Sequence, residues 1–111
     1  NWNFHSIKVV NNIDIIKNNL NFFEIKQDDI SSGLYLRSWN NDDAIVFNKS
    51  GNRKKIRKIL SEQKIIPLFR KEIPIIVNHQ NSVLWIPGIK KIYEKNNSLN
   101  NKKYLLWQKQ N

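Results

Sequence analysis

The chain has 111 residues, neither cysteine nor methionine, and a formal net charge of +10. That length suits one compact unit around one hydrophobic core, and it excludes a chain of several ordinary domains. The missing cysteines exclude disulfides, thiolate zinc sites and cysteine nucleophiles, and His5 and His79 lie too far apart to suggest a metal site, so no metal, catalytic residue or cofactor is expected here. No apolar run approaches the roughly 20 residues of a membrane span and the amino end carries no secretory pattern. We therefore expect no membrane partner and a cytoplasmic location, or an organelle stroma if the gene is plastid-encoded. The first residue is Asn1 rather than Met, which reads as an excised or processed piece. Asn, Ile and Lys dominate the composition, and Ala44 is the only alanine. This bias points to an A+T-rich genome, and part of the lysine excess follows from it.

In chain order, Trp2, Phe4, Ile7 and Val9-Val10 alternate as a first strand would. The Asn-rich stretch from Asn11 to Asn21 is either a short helix or an irregular cover. From Gly33, Leu34 to Trp39 alternate cleanly, predicting a strand with Leu34 and Leu36 facing the core and Tyr35, Arg37 and Trp39 facing out. Asn40 to Asp43 is turn chemistry. Ile56, Ile59 and Leu60 recur at helical spacing, predicting a helix from about Arg53 to Lys64 with Asn52 as its N-cap. Pro67 suits the first turn of a second, short helix that carries Phe69 and Arg70 and ends before Pro74. Ile75 to Val77 and Val83 to Ile86 form a hairpin across the polar Asn78–Ser82 connection, which carries His79 at its tip, and Tyr104 to Trp107 supplies a last strand. The expected fold is α+β: a small mixed or antiparallel sheet packed on one basic helix and a second short helix. Leu36, Ile56, Ile59, Leu60, Ile76 and Leu84 are expected in one core.

The charge is concentrated. Between residues 49 and 71 nine cations face the single acid Glu62, which accounts for eight of the ten net charges. Such a segment is an argument about polyanionic partners and not about fold. Arg53, Lys54 and Lys55 fall in the expected first turn of the basic helix, where the helix dipole disfavours each by ~0.3–1 kcal/mol. A phosphate would reverse that penalty. Two readings are open: a phosphate-binding face, or a solvated helix face in a lysine-biased protein. Trp39 and Tyr35 are open in the same way between base stacking and sheet cover. No base-reading pattern is visible, so contact with an RNA backbone and duplex shape is the expectation.

Several short motifs occur in order: Leu36-Arg37-Ser38-Trp39, Asp43, Lys54-Lys55-Ile56, Arg70, Pro74-Ile75-Ile76-Val77, and Val83-Leu84-Trp85-Ile86-Pro87-Gly88. From Leu36 to Gly88, and loosely to Lys90, the chain resembles the C-terminal domain of the tRNA(Ile)-lysidine synthase family. There are departures. Asp42 replaces a Gly, Ala44 an Arg, and Phe47 and Lys49 replace loop Pro and Gly, which implies that the loop from 40 to 52 has lost a tight turn and a cation. The family Pro near the end of the basic helix falls on Ile66, beside Pro67. Lys90 stands for an Arg, keeping charge without bidentate geometry.

The resemblance implies one tRNA-binding domain over residues 1–111, with 1–32 as a lead-in, 33–90 as the family-like core and 91–111 as a terminal strand region. It implies a parent ligase that uses ATP with Mg to join lysine to the wobble cytidine of a CAU-anticodon isoleucine tRNA. Chemistry would belong to a catalytic N-terminal domain with a Ser-Gly-Gly-x-Asp-Ser loop, and the parent is a candidate homodimer. This chain, whose glycines are Gly33, Gly51 and Gly88, has no such loop and would position the tRNA. From the charge clustering and the resemblance together, the candidate contacts are Arg37, Arg53, Lys54, Lys55, Arg57, Lys58, Arg70 and Lys90, with Trp39 as a stacking candidate; Arg70 has the alternative of bracing the fold. Competing readings are a free-standing basic RNA-binding or ribosome-associated module, and a packing domain whose charge only mirrors base composition.

Overall fold

The computed structural model describes residues 5–11, 20–94 and 103–109. Most of the Asn-rich stretch after Asn11 lies outside them, as do Trp2, Phe4 and much of the polar link that precedes the last strand. The elements are β1 (His5–Asn11), β2 (Phe22–Glu24), α1 (Gln27–Ser32), β3 (Leu34–Ser38), β4 (Ala44–Val46), β5 (Arg53–Lys55), α2 (Ile56–Glu62), α3 (Pro67–Arg70), β6 (Pro74–Asn78), β7 (Val83–Ile86), β8 (Lys90–Lys91) and β9 (Lys103–Lys109). The fold is α+β with antiparallel sheets, as expected. β9 lies between β1 and β2 in one sheet, β3-β6-β7-β8 form a second, and β4-β5 make a two-stranded ribbon.

The central pair explains the layering. β6 and β7 are buried along nearly their whole length. Continuous apolar runs of this kind arise when both faces of a sheet are covered. On one face Ile75, Val77, Val83 and Ile86 pack with Ile45 of β4 and with Ile56, Ile59 and Leu60 of α2. On the other, Ile76, Leu84 and Trp85 pack with Phe23, Ile25 and Leu105 from the first sheet. Trp85 stacks on Phe23 with ring centroids 5.6 Å apart, and its indole N–H donates to the Leu20 carbonyl at 3.0 Å. The Gly88 N–H donates to the same carbonyl at 2.8 Å, and Gly88 holds φ +77 where a Cβ would press on the Asn21 side-chain oxygen. Glycine is required there for both reasons.

Five expectations need correction. The core is two clusters divided by a sheet, not one. Leu36 is outside both, 40% exposed, because β3 is an edge strand whose second-cluster cover stops near Leu34. The supposed outward face of β3 is the better covered at Arg37 and Trp39, since a two-layered sheet has no solvent side for alternation to mark. The basic helix begins at Ile56: Arg53 to Lys55 form β5, paired in register with Ala44–Val46, and Asn52 closes that hairpin by accepting the Phe47 N–H at 3.0 Å. The loop from 40 to 52 keeps its tight turns, with Gly51 at φ +82. Replacing Ile56, fully buried in the first cluster, with Ala should cost about 2–5 kcal/mol of unfolding free energy. Leu36→Ala should cost under about 1 kcal/mol. Urea melts of the two variants check this division.

Candidate nucleic-acid interface

One ion pair positions the basic segment. The Arg37 guanidinium, rising from β3, donates to both carboxylate oxygens of Asp43 at 2.9 and 2.8 Å, to the Ser38 carbonyl at 2.9 Å and, through Nε, to the Asn81 side-chain oxygen at 3.1 Å. The Asp43 carboxylate also accepts the Asn40 N–H at 2.7 Å. The Asp43 side chain is only 8% exposed. Its hydrogen bonds from Arg37 hold the carboxyl below the usual range, outweighing burial, and the same contacts push the Arg37 guanidinium further up. The Asp43 carbonyl accepts the Ile56 N–H at 3.0 Å, which fixes the point where β5 turns into α2.

Beyond this clasp, β5 and the start of α2 place Arg53, Lys54, Lys55, Arg57 and Lys58 within six residues. Arg53, Lys55, Arg57 and Lys58 are exposed, while Lys54 is half-buried. Arg57 and Lys58 fall in the first turn of α2, which holds no acidic residue. The unfavourable placement of cations at a helix start, ~0.3–1 kcal/mol each, therefore belongs to these two and not to Arg53, Lys54 and Lys55. Glu62, at the end of α2, forms an ion pair with Lys54. Its carboxyl lies below the usual range because of that hydrogen bond first, then the fields of Lys54, Lys58 and Lys90. Lys90, on β8, thus joins the cations of β5 and α2 around one carboxylate. Lys55 reaches the Asn41 carbonyl at 3.4 Å.

Three expected contacts are engaged inside the fold. Arg37 is held by Asp43. Arg70 donates through Nε to the Ile65 carbonyl at 2.8 Å, which is the bracing alternative. Trp39 packs against the first core cluster and donates to the Arg70 carbonyl at 2.7 Å. Sequence reasoning missed the β4–β5 ribbon and α1; Ala44-Ile45-Val46 was a strand-forming triplet before a turn at Asn48–Gly51.

A second concave region has another character. An open groove of about 320 Å³ is floored by Phe23, Leu84 and Ile92 and edged by Lys26, Asp29 and Glu94. Lys26 and Glu94 lie 4.0 Å apart. Burial pushes the Glu94 and Glu24 carboxyls up and the Lys91 ammonium down. Mixed charge of this kind gives a polyanion no preference. Among the described residues no cluster of His, Cys, Asp or Glu suits a metal ion, and no helix is long and apolar enough to cross a membrane.

Residues 34–107 match the family model described as the TilS substrate C-terminal domain. The chain belongs to this family. Among curated relatives it is 30% identical over 90 residues to a bifunctional protein TilS/HprT of Listeria innocua, covering 80% of this chain and 14% of that protein. It is 29% identical over 89 residues to a tRNA(Ile)-lysidine synthase of Geobacillus kaustophilus, covering 80% of this chain and 19% of the relative. The chain thus spans less than a fifth of those relatives. Among solved structures, one described as the crystal structure of a TilS C-terminal domain superimposes with a TM-score of 0.80 at 25% identity, over 98% of this chain and 87% of the other. The family match begins at the first residue of β3 and includes the Arg37–Asp43 clasp, the basic ribbon and helix, and β9 as far as Trp107.

The clasp has a pH signature. Because the folded-state carboxyl of Asp43 is depressed below its unfolded value near 3.9, its contribution is complete well above that value and is lost as the pH falls through the folded one. Glu24 and Glu94, whose carboxyls are raised, act in the opposite sense: their contribution is present below the ordinary carboxylate range and lost as pH rises. Comparing wild type with Asp43→Asn cancels those two. The variant should lose about 2 kcal/mol at pH 7, and the gap should close as the pH drops below 4. Urea denaturation at several pH values measures it.

Proposed function

We propose that this chain is the tRNA-recognition domain of a tRNA(Ile)-lysidine synthase, and that it holds the body of the tRNA while chemistry occurs elsewhere in the same polypeptide. The observation that carries the reading is the run of Arg53, Lys54, Lys55, Arg57 and Lys58 along the ribbon and the start of α2, joined by Lys90 of β8, with Lys54, Lys58 and Lys90 all acting on the single carboxylate of Glu62. Exposed cations clustered on rigid elements suit phosphate contact, which positions a nucleic acid without reading its sequence. The parent would use ATP with Mg to join lysine to the wobble cytidine of a CAU-anticodon isoleucine tRNA; the catalytic N-terminal domain and any homodimer belong to it. No group in this chain is assigned a catalytic role, and a cytoplasmic setting goes with the tRNA substrate. A free-standing basic RNA-binding or ribosome-associated module would share the charge, but the similarity to a C-terminal part of longer synthases supports the parent enzyme.

Glu62 gives the reading a sharp handle. As the one acid among these cations it opposes an incoming phosphate and engages Lys54. Four or five phosphate contacts imply a log–log dependence of affinity on salt of about −4, since each duplex phosphate contributes about −0.9. Arg57→Gln/Lys58→Gln should flatten the slope by about 2 with little change in preference among RNA sequences, and Glu62→Gln should tighten binding at low salt. Titration of tRNA into the folded variants at several salt concentrations provides the check. Equal slopes for wild type and the double variant would instead favour a purely structural domain.

A further inference from the structure

The sharpest feature outside the cationic cluster is α3. Pro67 opens it, and none of its residues is buried. Leu68 is 75% exposed, Ile66 58% and Phe69 50%. Single apolar residues on a surface are ordinary, but consecutive ones projecting from one turn mark a contact surface. This turn is also fixed in place: Arg70 Nε donates to the Ile65 carbonyl at 2.8 Å, the Trp39 indole donates to the Arg70 carbonyl at 2.7 Å, and Trp39, Ile65 and Ile73 pack on the first core cluster. The apolar side chains are therefore presented by a braced scaffold, which lowers the entropy cost of using them.

We propose that Leu68 and Phe69 form a ledge on which an unpaired nucleobase of the bound RNA stacks, an assignment that rests on the tRNA-binding reading above. Charge selects this occupant over an apolar protein surface. Exposed Lys64 precedes the turn and exposed Lys71 follows it; from Glu62 to Glu72 the cations Lys64, Arg70 and Lys71 face only the two flanking acids, of which Glu62 is engaged by Lys54. A ring and an aliphatic group between two cations match a base between two phosphates, the pattern of single-strand binding surfaces. Four residues separate α2 from α3, and Arg57 lies five helical residues before the end of α2, a total span of at most about 25 Å, so a strand whose phosphates meet Arg57 and Lys58 reaches the ledge within several nucleotides. The Trp39 ring, held on the core, supports α3, and Phe69 offers the exposed aromatic surface.

The experiment compares two RNA probes by fluorescence anisotropy at several salt concentrations: a blunt duplex and the same duplex with a four-nucleotide unpaired 3′ extension. Wild type should prefer the extended RNA by about tenfold, the order of one base–aromatic stack. Leu68→Gln/Phe69→Gln, substitutions in exposed side chains whose folding a thermal melt verifies, should abolish the preference while leaving the salt slope on the blunt duplex intact. Phe69→Trp should retain it. A folded double variant that keeps the full preference overturns the ledge, as does wild type that binds both probes equally and with the expected salt dependence. In the latter case, weakened association of the double variant with the remainder of the parent synthase would identify a protein occupant instead. Failure of wild type to bind either probe in a salt-dependent way overturns the tRNA-binding reading itself, a separate result.

Discussion

Asp43 is the point on which the arrangement of the basic face depends. Its carboxylate takes both arms of Arg37 from β3 and the Asn40 N–H from the preceding turn, while its carbonyl receives the Ile56 N–H at the start of α2. One residue thus ties the edge of the four-stranded sheet to the ribbon and to the helix, which together carry the exposed Arg53, Lys55, Arg57 and Lys58. A bidentate arginine–carboxylate pair is directional, and with Asp43 shielded and Arg37 partly so it resists shearing. Without the pair, a carboxylate 8% exposed would have to be hydrated or protonated, and the ribbon would lose its anchor on β3.

The two sides of the domain differ in electrostatic character for reasons visible in the packing. On the α2 side the first core cluster is built from Ile45, Ile56, Ile59 and Leu60, which turns Arg53, Lys55, Arg57 and Lys58 outward. On the other side Lys26, Lys91, Glu24 and Glu94 are interleaved, and partial burial weakens the charged forms of Lys91 and both glutamates. The net charge of +10 is therefore not a uniform coat. Its active part is a patch on rigid elements, which can draw in a polyanion from a distance and set its orientation on arrival.

Much of this was readable from residues alone, and the misses have physical causes. The β6–β7 hairpin, the short helix after Pro67 and the helical spacing of Ile56, Ile59 and Leu60 were legible because each depends on local pattern. The assignment of β3 faces failed because alternation marks inside and outside only when one face of a sheet meets water, and here Arg37 and Trp39 are covered on the face opposite Leu34. The start of α2 was misplaced because Arg53-Lys54-Lys55 has good helix propensity, yet Ala44–Val46 supplies a strand partner that propensity cannot register. Of the candidate site, the identity of the cations was legible, but their connections were not: Arg37 looks like a surface charge in sequence and Arg70 stays open between contact and bracing, and only the fold directs them to Asp43 and to the Ile65 carbonyl.

The most direct test of the account is a map of amide chemical-shift changes when an RNA hairpin the size of a tRNA arm is added to the labelled chain. Changes should concentrate at residues 53–58, 62–71 and 90, with Phe23, Lys26, Tyr93 and Glu94 along the mixed-charge groove unaffected. Changes centred on that groove, with Arg57 and Lys58 silent, would contradict the account.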